Sequence, residues 1–552
     1  MITLTGKTVC SGIAFGTLYI YSPTESRIIR RHVDDVNAEL ERFEQAKCQA
    51  HDELESLYKK ALAEVGKDNA IIFKIHQIMI DDEDYLESIK NIIADQSLNA
   101  ETAVAQTCDT FSGIFSELED SYMKERSADI KDVSERIIRI LSGKAPVSVC
   151  TDEPVIIAAN DLSPSETVQF DKSSILAFVM ENGSPNSHTS ILARNMHIPA
   201  VINTADILNG SYNGKYAIVD GYAGNIYIEP DDETLNRMHE IAEELKCREL
   251  ALHKLKGHDS ITIDGKKVGL YANIESVSDI RDVLSNDAEG IGLFRSEYMF
   301  LEASSYPNEE VQFSVYKDVL SKMPDKEVTI RTLDLGTDDK TSYMTMPHEG
   351  NPAMSIRAIR LCFKNPEIFK TQLRALYRAS VFGKLSIMFP MITSEWEIIK
   401  INEMINEVKS ELDSENIPYS KDVRIGCMIE TPAAAIMSDV LAEYVDFFSI
   451  GTNDLTQYIL AADRENHDVE IFCDTHNRAV IRFINMITRN AHAHNTKVCI
   501  CGDSAADLDL TETFLALDID ALSVAPEAIL PLKQKIVNTD ISLTKGEIIK
   551  NL

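Results

Sequence analysis

The N-terminal stretch MITLTGKTVCSGIAFG lacks a basic segment followed by a long apolar core, and the chain has no apolar run long enough to span a bilayer. Those absences argue against a secretory leader and a membrane-spanning helix, and they predict a cytoplasmic protein with no membrane insertion. The ten cysteines include no CxxC pair. Reduced thiols are therefore expected rather than a zinc or disulfide framework. Positive charge is scarce: 54 Lys and Arg stand against 88 Asp and Glu, for a formal net charge of −34. A surface of that sign repels nucleic-acid phosphates and anionic membranes, so any macromolecular partner is expected to be basic. No Gly-rich phosphate loop of the kind that marks a nucleotide-binding domain is present.

What is there is long and patterned. With 552 residues, 44% hydrophobic and 26% charged, the chain reads as several globular units. Residues 2 to 21 alternate and carry Gly12 and Gly16, which predicts a strand pair with a tight bend. From Val33 to Leu141 glycine and proline almost vanish, and Val33, Val36, Leu40, Phe43, Ala50, Leu54 and Leu57 recur at helical spacing. This predicts a helical bundle. VIIAAN (155–160), ILAFVM (175–180), AVI (200–202) and YAIVDG (216–221) then read as buried strands. The residues flanking the bundle would form one α/β domain into which it is inserted. Leu235, Met238, Ile241, Leu245 and Leu252 mark a linker helix.

Beyond Ser260, eight strand-like runs alternate with helical segments: VGLYANI, GIGLFRS, TIRTLDLG, LSIMFPMI, IGCMIET, FFSIGTND, KVCICGDS and ALSVAP. That rhythm matches a (β/α)8 barrel, whose active site lies at the C-terminal ends of its strands. Those ends would gather Asn273, Arg295, Arg331, Asp334, Glu430, Asn453, Asp454 and Cys501, with Arg464 a turn beyond. Guanidinium groups bind phosphate and carboxylate bidentately. Glu430 and Asp454 are hard oxygen donors of the kind Mg²⁺ uses alongside a phosphorylated substrate. The implied ligand is a small phosphorylated carboxylic acid. Cys499 and Cys501 point to the same side of a strand; Cys499 is expected in the core, and Cys501 is placed to exchange a proton with substrate.

His188 admits two readings. It stands between Ser187 and Thr189 where a Gly/Ser/Pro/Asn loop meets a helical run. It either caps that helix or, held neutral by the helix's positive end, serves as a phosphoryl acceptor.

Several stretches together resemble one family. SHTSILARNMHIPAV, GIGLFRSEYMF, IRTLDLG, NPAMSIRAIRL, FFSIGTNDLTQYILAADREN and CGD are similar to the successive signatures of enzyme I of the phosphoenolpyruvate-dependent sugar phosphotransferase system. YMKERSADIKDV (122–133) resembles that family's region for binding the phosphocarrier protein HPr. The resemblance implies a swivelling phosphohistidine α/β domain at 1–24 and 144–230, an HPr-binding helical domain at 25–143, a linker helix at 231–258, and a phosphoenolpyruvate-binding barrel at 259–552. It implies Mg²⁺-dependent transfer from phosphoenolpyruvate to His188 and then to HPr, releasing pyruvate, by a homodimer joined through the barrel. By the same match Arg295, Arg331, Asn453, Asp454 and Arg464 would hold substrate, Glu430 and Asp454 the metal, and Cys501 would protonate the enolate.

The sequence departs from the family's pattern in places. The usual Gly-Gly-Arg/Lys-Thr ahead of Ser-His is Gly183-Ser184-Pro185-Asn186 here, and Gly-Gly-Asp-Lys is Gly336-Thr337-Asp338-Asp339 with Lys340 displaced. Asp503 stands for the glutamate after Cys-Gly, and Ala506 and Glu465 stand for glycines. These bear on rate and on the choice of acceptor. Two rivals follow: a pyruvate phosphate dikinase or phosphoenolpyruvate synthase, disfavoured for want of a nucleotide-binding domain, and a binding protein without turnover, disfavoured because His188 and Cys501 are both kept.

Overall fold

The computed structural model describes residues 1–21, 28–64, 67–117, 121–144, 153–169, 174–185, 187–196, 198–301, 303, 305–336, 343, 351–464, 466 and 468–552. The architecture is multidomain α/β, in two compact units, Met1–Lys246 and Cys247–Leu552. Among the described residues no helix is long and apolar enough to cross a membrane.

The first unit holds a sheet built from β1 (Ile2–Thr5), β2 (Lys7–Cys10), β3 (Ile13–Ile20), β4 (Val155–Ala159), β5 (Ile175–Met180), β6 (Ala200–Ile202), β7 (Tyr216–Asp220) and β8 (Asn225–Ile228). Their order is β1-β8-β7-β3-β4-β5-β6-β2. The expected N-terminal strand pair is thus three strands, with β1 and β2 on opposite edges of the sheet. Gly6 sits where they part. A Cβ there would lie 2.4 Å from Thr204 Oγ1 and 2.5 Å from the Ile202 carbonyl, so only glycine allows the crossing. β3 pairs in parallel with β4, although helices α1 (Val36–Glu64), α2 (Lys67–Ile80), α3 (Glu83–Gln96), α4 (Ala100–Glu117) and α5 (Ser121–Leu141) lie between them in the chain. The helices bury their own core. Phe43, Ala46, Ala50, Leu54, Leu57 and Ala61 of α1 recur every three or four residues along one stripe, packed among Phe73, Ile89, Val104 and Ile137. Two further helices, α6 (Pro164–Gln169) and α7 (His188–Met196), follow β4 and β5.

In the second unit β9 (Gly269–Ile274), β10 (Gly290–Arg295), β11 (Glu327–Arg331), β12 (Lys384–Phe389), β13 (Arg424–Ile429), β14 (Phe447–Ile450), β15 (Lys497–Ile500) and β16 (Ala521–Val524) close into a parallel barrel. The apolar core lies between this barrel and its outer helices, where Phe369, Leu373 and Ile484 meet Ile330, Phe389 and Phe448. Two runs end earlier than the sequence pattern predicts. β11 stops at Arg331, leaving Asp334 in the following loop, and β14 stops at Ile450, so Asn453 and Asp454 ride the first turn of the helix Thr452–Leu460. Leu333 and Leu335 stay buried beyond Arg331, so the apolar alternation outlasts the strand, and Gly451 is the N-cap of the helix that follows β14.

Candidate active site

Strand register brings the barrel's polar residues to one mouth. Arg295 and Arg331 are paired neighbours at the ends of β10 and β11. Glu430 immediately follows β13, and Cys501 immediately follows β15. Gly451 leaves room beside Glu430, because a Cβ there would stand 2.8 Å from Glu430 Oε2.

Arg331 is the centre of a buried ionic network. Its guanidinium pairs with Glu297, lies 3.0 Å from Asp334 and reaches Met428 Sδ at 3.7 Å. Arg357 pairs with the same Asp334 at 3.3 Å. Burial pushes the Asp334 carboxyl up, but Arg331 and Arg357 outweigh it and hold the group below its ordinary range. Polar atoms in this network are nonetheless left over. Among the described residues the Nε atoms of Arg331 and Arg357 and Oε2 of Glu297 are buried without a hydrogen-bond partner. Buried donors left in this state mark a place where a ligand or water completes the structure.

The carboxylates carry the opposite signature. Glu430 is 1% exposed and accepts the Met391 N–H at 2.5 Å. Burial, with the charges of Asp454 and Asp334, pushes its carboxyl up to about 8 against the pull of Arg331. A divalent cation beside Glu430 and Asp454 would relieve that crowding, so this pair fits Mg²⁺. Among the described residues no group of three or more His, Cys, Asp or Glu gathers to hold a metal; a cation here would draw its other oxygens from substrate and water. Asp454 also faces Arg464 at 3.9 Å.

Cys501 is 3% exposed, clustered with Leu293, Met388, Met428 and Phe447. Burial pushes its thiol up to about 11, partly offset by Ser449 and by the guanidinium groups of Arg331 and Arg295. The sulfur therefore carries its proton at neutral pH. Cys499 differs from expectation: it is half-buried and lines a cavity rather than closing the core.

Other rim residues are already engaged. Asn273 donates to the Cys501 and Ser523 carbonyls, both at 3.0 Å, and accepts from Ser523 Oγ at 2.6 Å. It ties strand ends together, with both amide hydrogens in use. Asn453 and Asp503 exchange reciprocal 2.9 Å hydrogen bonds, Nδ2 donating to the carboxylate and the Asp503 amide donating back to Oδ1. Arg295 pairs with Glu275 at 2.9 Å. Sequence reasoning passed over Arg357 and Tyr458, although both stand inside quoted signatures. Tyr458 donates to the Ala353 carbonyl, and burial together with Asp454 pushes its phenol up to about 12.

His188 opens α7 in the other unit, and its side chain lies outside the described residues. Its neighbours organise the helix start. Ser187 Oγ accepts the Ser190 N–H at 3.3 Å, Ser190 Oγ donates to the Ser184 carbonyl at 2.7 Å, and Thr189 Oγ1 donates to the Leu162 carbonyl at 3.2 Å. Ser187 is the cap, which frees His188 from that task. Asn186, Thr337, Asp338, Asp339, Lys340 and Glu465 also lie outside the described residues.

In the helical bundle, Ile71, Ile75 and Ile78 form one stripe along α2, with Ile71 52% and Ile78 71% exposed. The acidic run Asp81 to Asp84 has a local role: Asp82 caps α3 by accepting the Tyr85 N–H at 2.9 Å, and Glu83 and Asp84 lie in its first turn. In the stretch 122–133, Asp129 and Asp132 turn inward to His76 at 3.2 and 3.7 Å, and Arg126 pairs with Asp129 at 3.5 Å. The side chains of Tyr122 to Glu125 lie outside the described residues.

The family model "PEP-utilising enzyme, PEP-binding domain" matches residues 250–541, "PEP-utilising enzyme, N-terminal" matches 5–126, and "PEP-utilising enzyme, mobile domain" matches 151–224. A phosphoenolpyruvate-protein phosphotransferase of Listeria innocua is 38% identical over 540 residues, covering 98% of this chain and 94% of that protein. One of Bacillus subtilis is 38% identical over 537 residues, covering 97% and 94%. One of Staphylococcus carnosus is 37% identical over 532 residues, covering 96% and 93%.

Proposed function

This chain belongs to the phosphoenolpyruvate-protein phosphotransferase family, and we propose that it moves the phosphoryl group of phosphoenolpyruvate onto His188 and then onto a histidine of HPr, releasing pyruvate as the first step of a sugar phosphotransferase system. The observation that carries this reading is the barrel mouth, where Arg295, Arg331, Arg357 and Arg464 surround Glu430, Asp454 and a protonated Cys501. The arginines hold the phosphate and carboxylate of substrate. Mg²⁺, held by Glu430 and Asp454, would neutralise charge on the phosphate oxygens. As the bond between phosphorus and the enol oxygen breaks, an imidazole nitrogen of His188 bonds to phosphorus. The enolate carbon left behind takes the Cys501 proton, which completes pyruvate. A neutral imidazole at a helix N-terminus suits the acceptor, and the amides there favour the phosphoryl anion that results.

The domain division drawn from the sequence is part of this proposal: phosphohistidine chemistry in 1–24 and 144–230, carrier docking in 25–143, and substrate and a homodimer contact in 259–552. The stripe of Ile71, Ile75 and Ile78, exposed at Ile71 and Ile78, supports docking of an apolar patch on HPr. Incubation with ³²P-labelled phosphoenolpyruvate and Mg²⁺ tests the central claim. The expected result is acid-labile label on the wild-type protein and none on His188→Ala, with phosphoenolpyruvate binding retained by the variant. Label on the variant would move the acceptor elsewhere. Sedimentation at micromolar concentration tests the homodimer, and a monomer throughout would remove it.

A further inference from the structure

A cavity of about 330 Å³ opens at the N-terminal mouth of the barrel, the end away from Glu430 and Cys501. That volume lies at the lower end of the range that small-molecule sites occupy. Barrels ordinarily fill this interior with stacked branched side chains. Here glycine takes inward positions: a Cβ at Gly426 would lie 2.4 Å from the Phe447 ring, and one at Gly292 would lie 2.3 Å from Ser523 Oγ. The floor is polar. It includes Tyr271, Cys499 and Ser449, and Ser449 is 1% exposed with its hydroxyl lacking a hydrogen-bond partner among the described residues.

The rim carries charges of both signs, and most are matched. Arg424 pairs with Glu327 and stands 5.7 Å from the centre of the Phe447 ring. Lys267 pairs with Asp259 at 2.8 Å. Asp520 accepts the Val498 N–H at 2.8 Å and meets His492 at 2.9 Å. Two rim charges have no ion pair among the described residues. Lys497 has none, and Glu289 accepts only a long 3.4 Å bond from the Leu270 amide while acting on Lys267 and Tyr271 through space. A cation and an anion without an ion pair among the described residues thus stand at the rim of a cavity lined by Tyr271 and Phe447.

We propose that this cavity binds a free amino acid with an apolar side chain, its carboxylate drawn to Lys497, its ammonium to Glu289 and its side chain set among Tyr271 and Phe447.

The test uses the full-length protein and ligand-observed saturation-transfer NMR, with each of the common L-amino acids offered singly and acetate and methylammonium as single-charge controls. The expected result is binding of an apolar amino acid that persists under saturating phosphoenolpyruvate and Mg²⁺. Lys497→Gln and Glu289→Gln should each weaken it by about tenfold, the cost of one charge-assisted contact, while melting temperature and self-phosphorylation without amino acid stay as in wild type. Binding by none of the amino acids, displacement by phosphoenolpyruvate, indifference to both substitutions, or equal binding of acetate or methylammonium would each overturn the proposal.

Discussion

Cys499 and Cys501 stand two residues apart on one barrel wall, and their surroundings give them different work. Cys501 is enclosed by Leu293, Met388 and Met428 beside the carboxylates; Cys499 faces the opposite cavity. Cys501→Ala is expected to keep phosphoenolpyruvate and Mg²⁺ binding, since the arginines and carboxylates remain, yet to form pyruvate slower by on the order of 10² or more. Cys499→Ala enlarges an existing cavity and should cost on the order of 1 kcal/mol of stability, with turnover per folded molecule unchanged. Turnover corrected for folded fraction decides, and the reverse pattern would move the proton donor. Glu430 supplies a second prediction. Its carboxyl sits at about 8 in the folded protein against an ordinary 4.5. Between those values the folded state keeps a proton that the unfolded chain has released, so this group's stabilising contribution is full below 4.5 and is lost as pH rises through 8. In EDTA the melting temperature should therefore fall between about pH 5 and about pH 8, and Glu430→Gln should remove that component of the slope. Mg²⁺ should stabilise the wild type more at the higher pH, where the carboxylate is free to receive it. A Glu430→Gln variant with the wild-type slope would place the cause in another group.

At the scale of elements, the helix α2 presents a stripe with no local reason to be apolar. Ile78 is 71% exposed, and Ile71, at the same face two turns away, is 52% exposed. Ile78→Asp should slow phosphoryl transfer to HPr at least about tenfold, as loss of an apolar anchor does at an interface, with self-phosphorylation untouched. Equal loss of both rates would point to damage in the bundle instead. The elements also show what the sequence disclosed. The barrel strands were legible because each is a short apolar run bounded by turn residues, and the mouth was legible because the chemistry-bearing residues close those runs. The helical bundle was legible from its stripe of Phe43, Ala50 and Leu54. The parting of β1 from β2 was not, because it depends on partners near residues 202 and 226 rather than on local alternation. Arg357 was missed for a related reason: its worth lies in sharing Asp334 with Arg331, and sequence spacing does not reveal that triad. Asn273 lies near the end of β9, and three hydrogen bonds tie it there to Cys501 and Ser523.

For the whole molecule, the net charge of −34 sets a field that no single pair of residues produces. Such a field acts on encounter more than on the docked state, because charges on separate surfaces feel one another across several ångströms of water and are screened by salt over about 10 Å at 0.1 M. The apolar stripe on α2 acts only on contact. Under the proposed function the two would divide the kinetics of carrier docking between them. The association rate with a basic face of HPr should fall by at least about tenfold between low and high salt, while the dissociation rate stays nearly constant. Neutralising Glu83 and Asp84 tests whether the acidic run matters beyond starting α3. Asp82 is left in place because it is the cap, so a lost helix start would not confuse the result. Stopped-flow transfer from the phosphorylated protein to HPr at a series of salt concentrations separates these contributions. A salt-independent association rate, together with a large effect of Ile78→Asp, would show that the acidic surface takes no part in recognition and that the apolar stripe alone directs the carrier to its place.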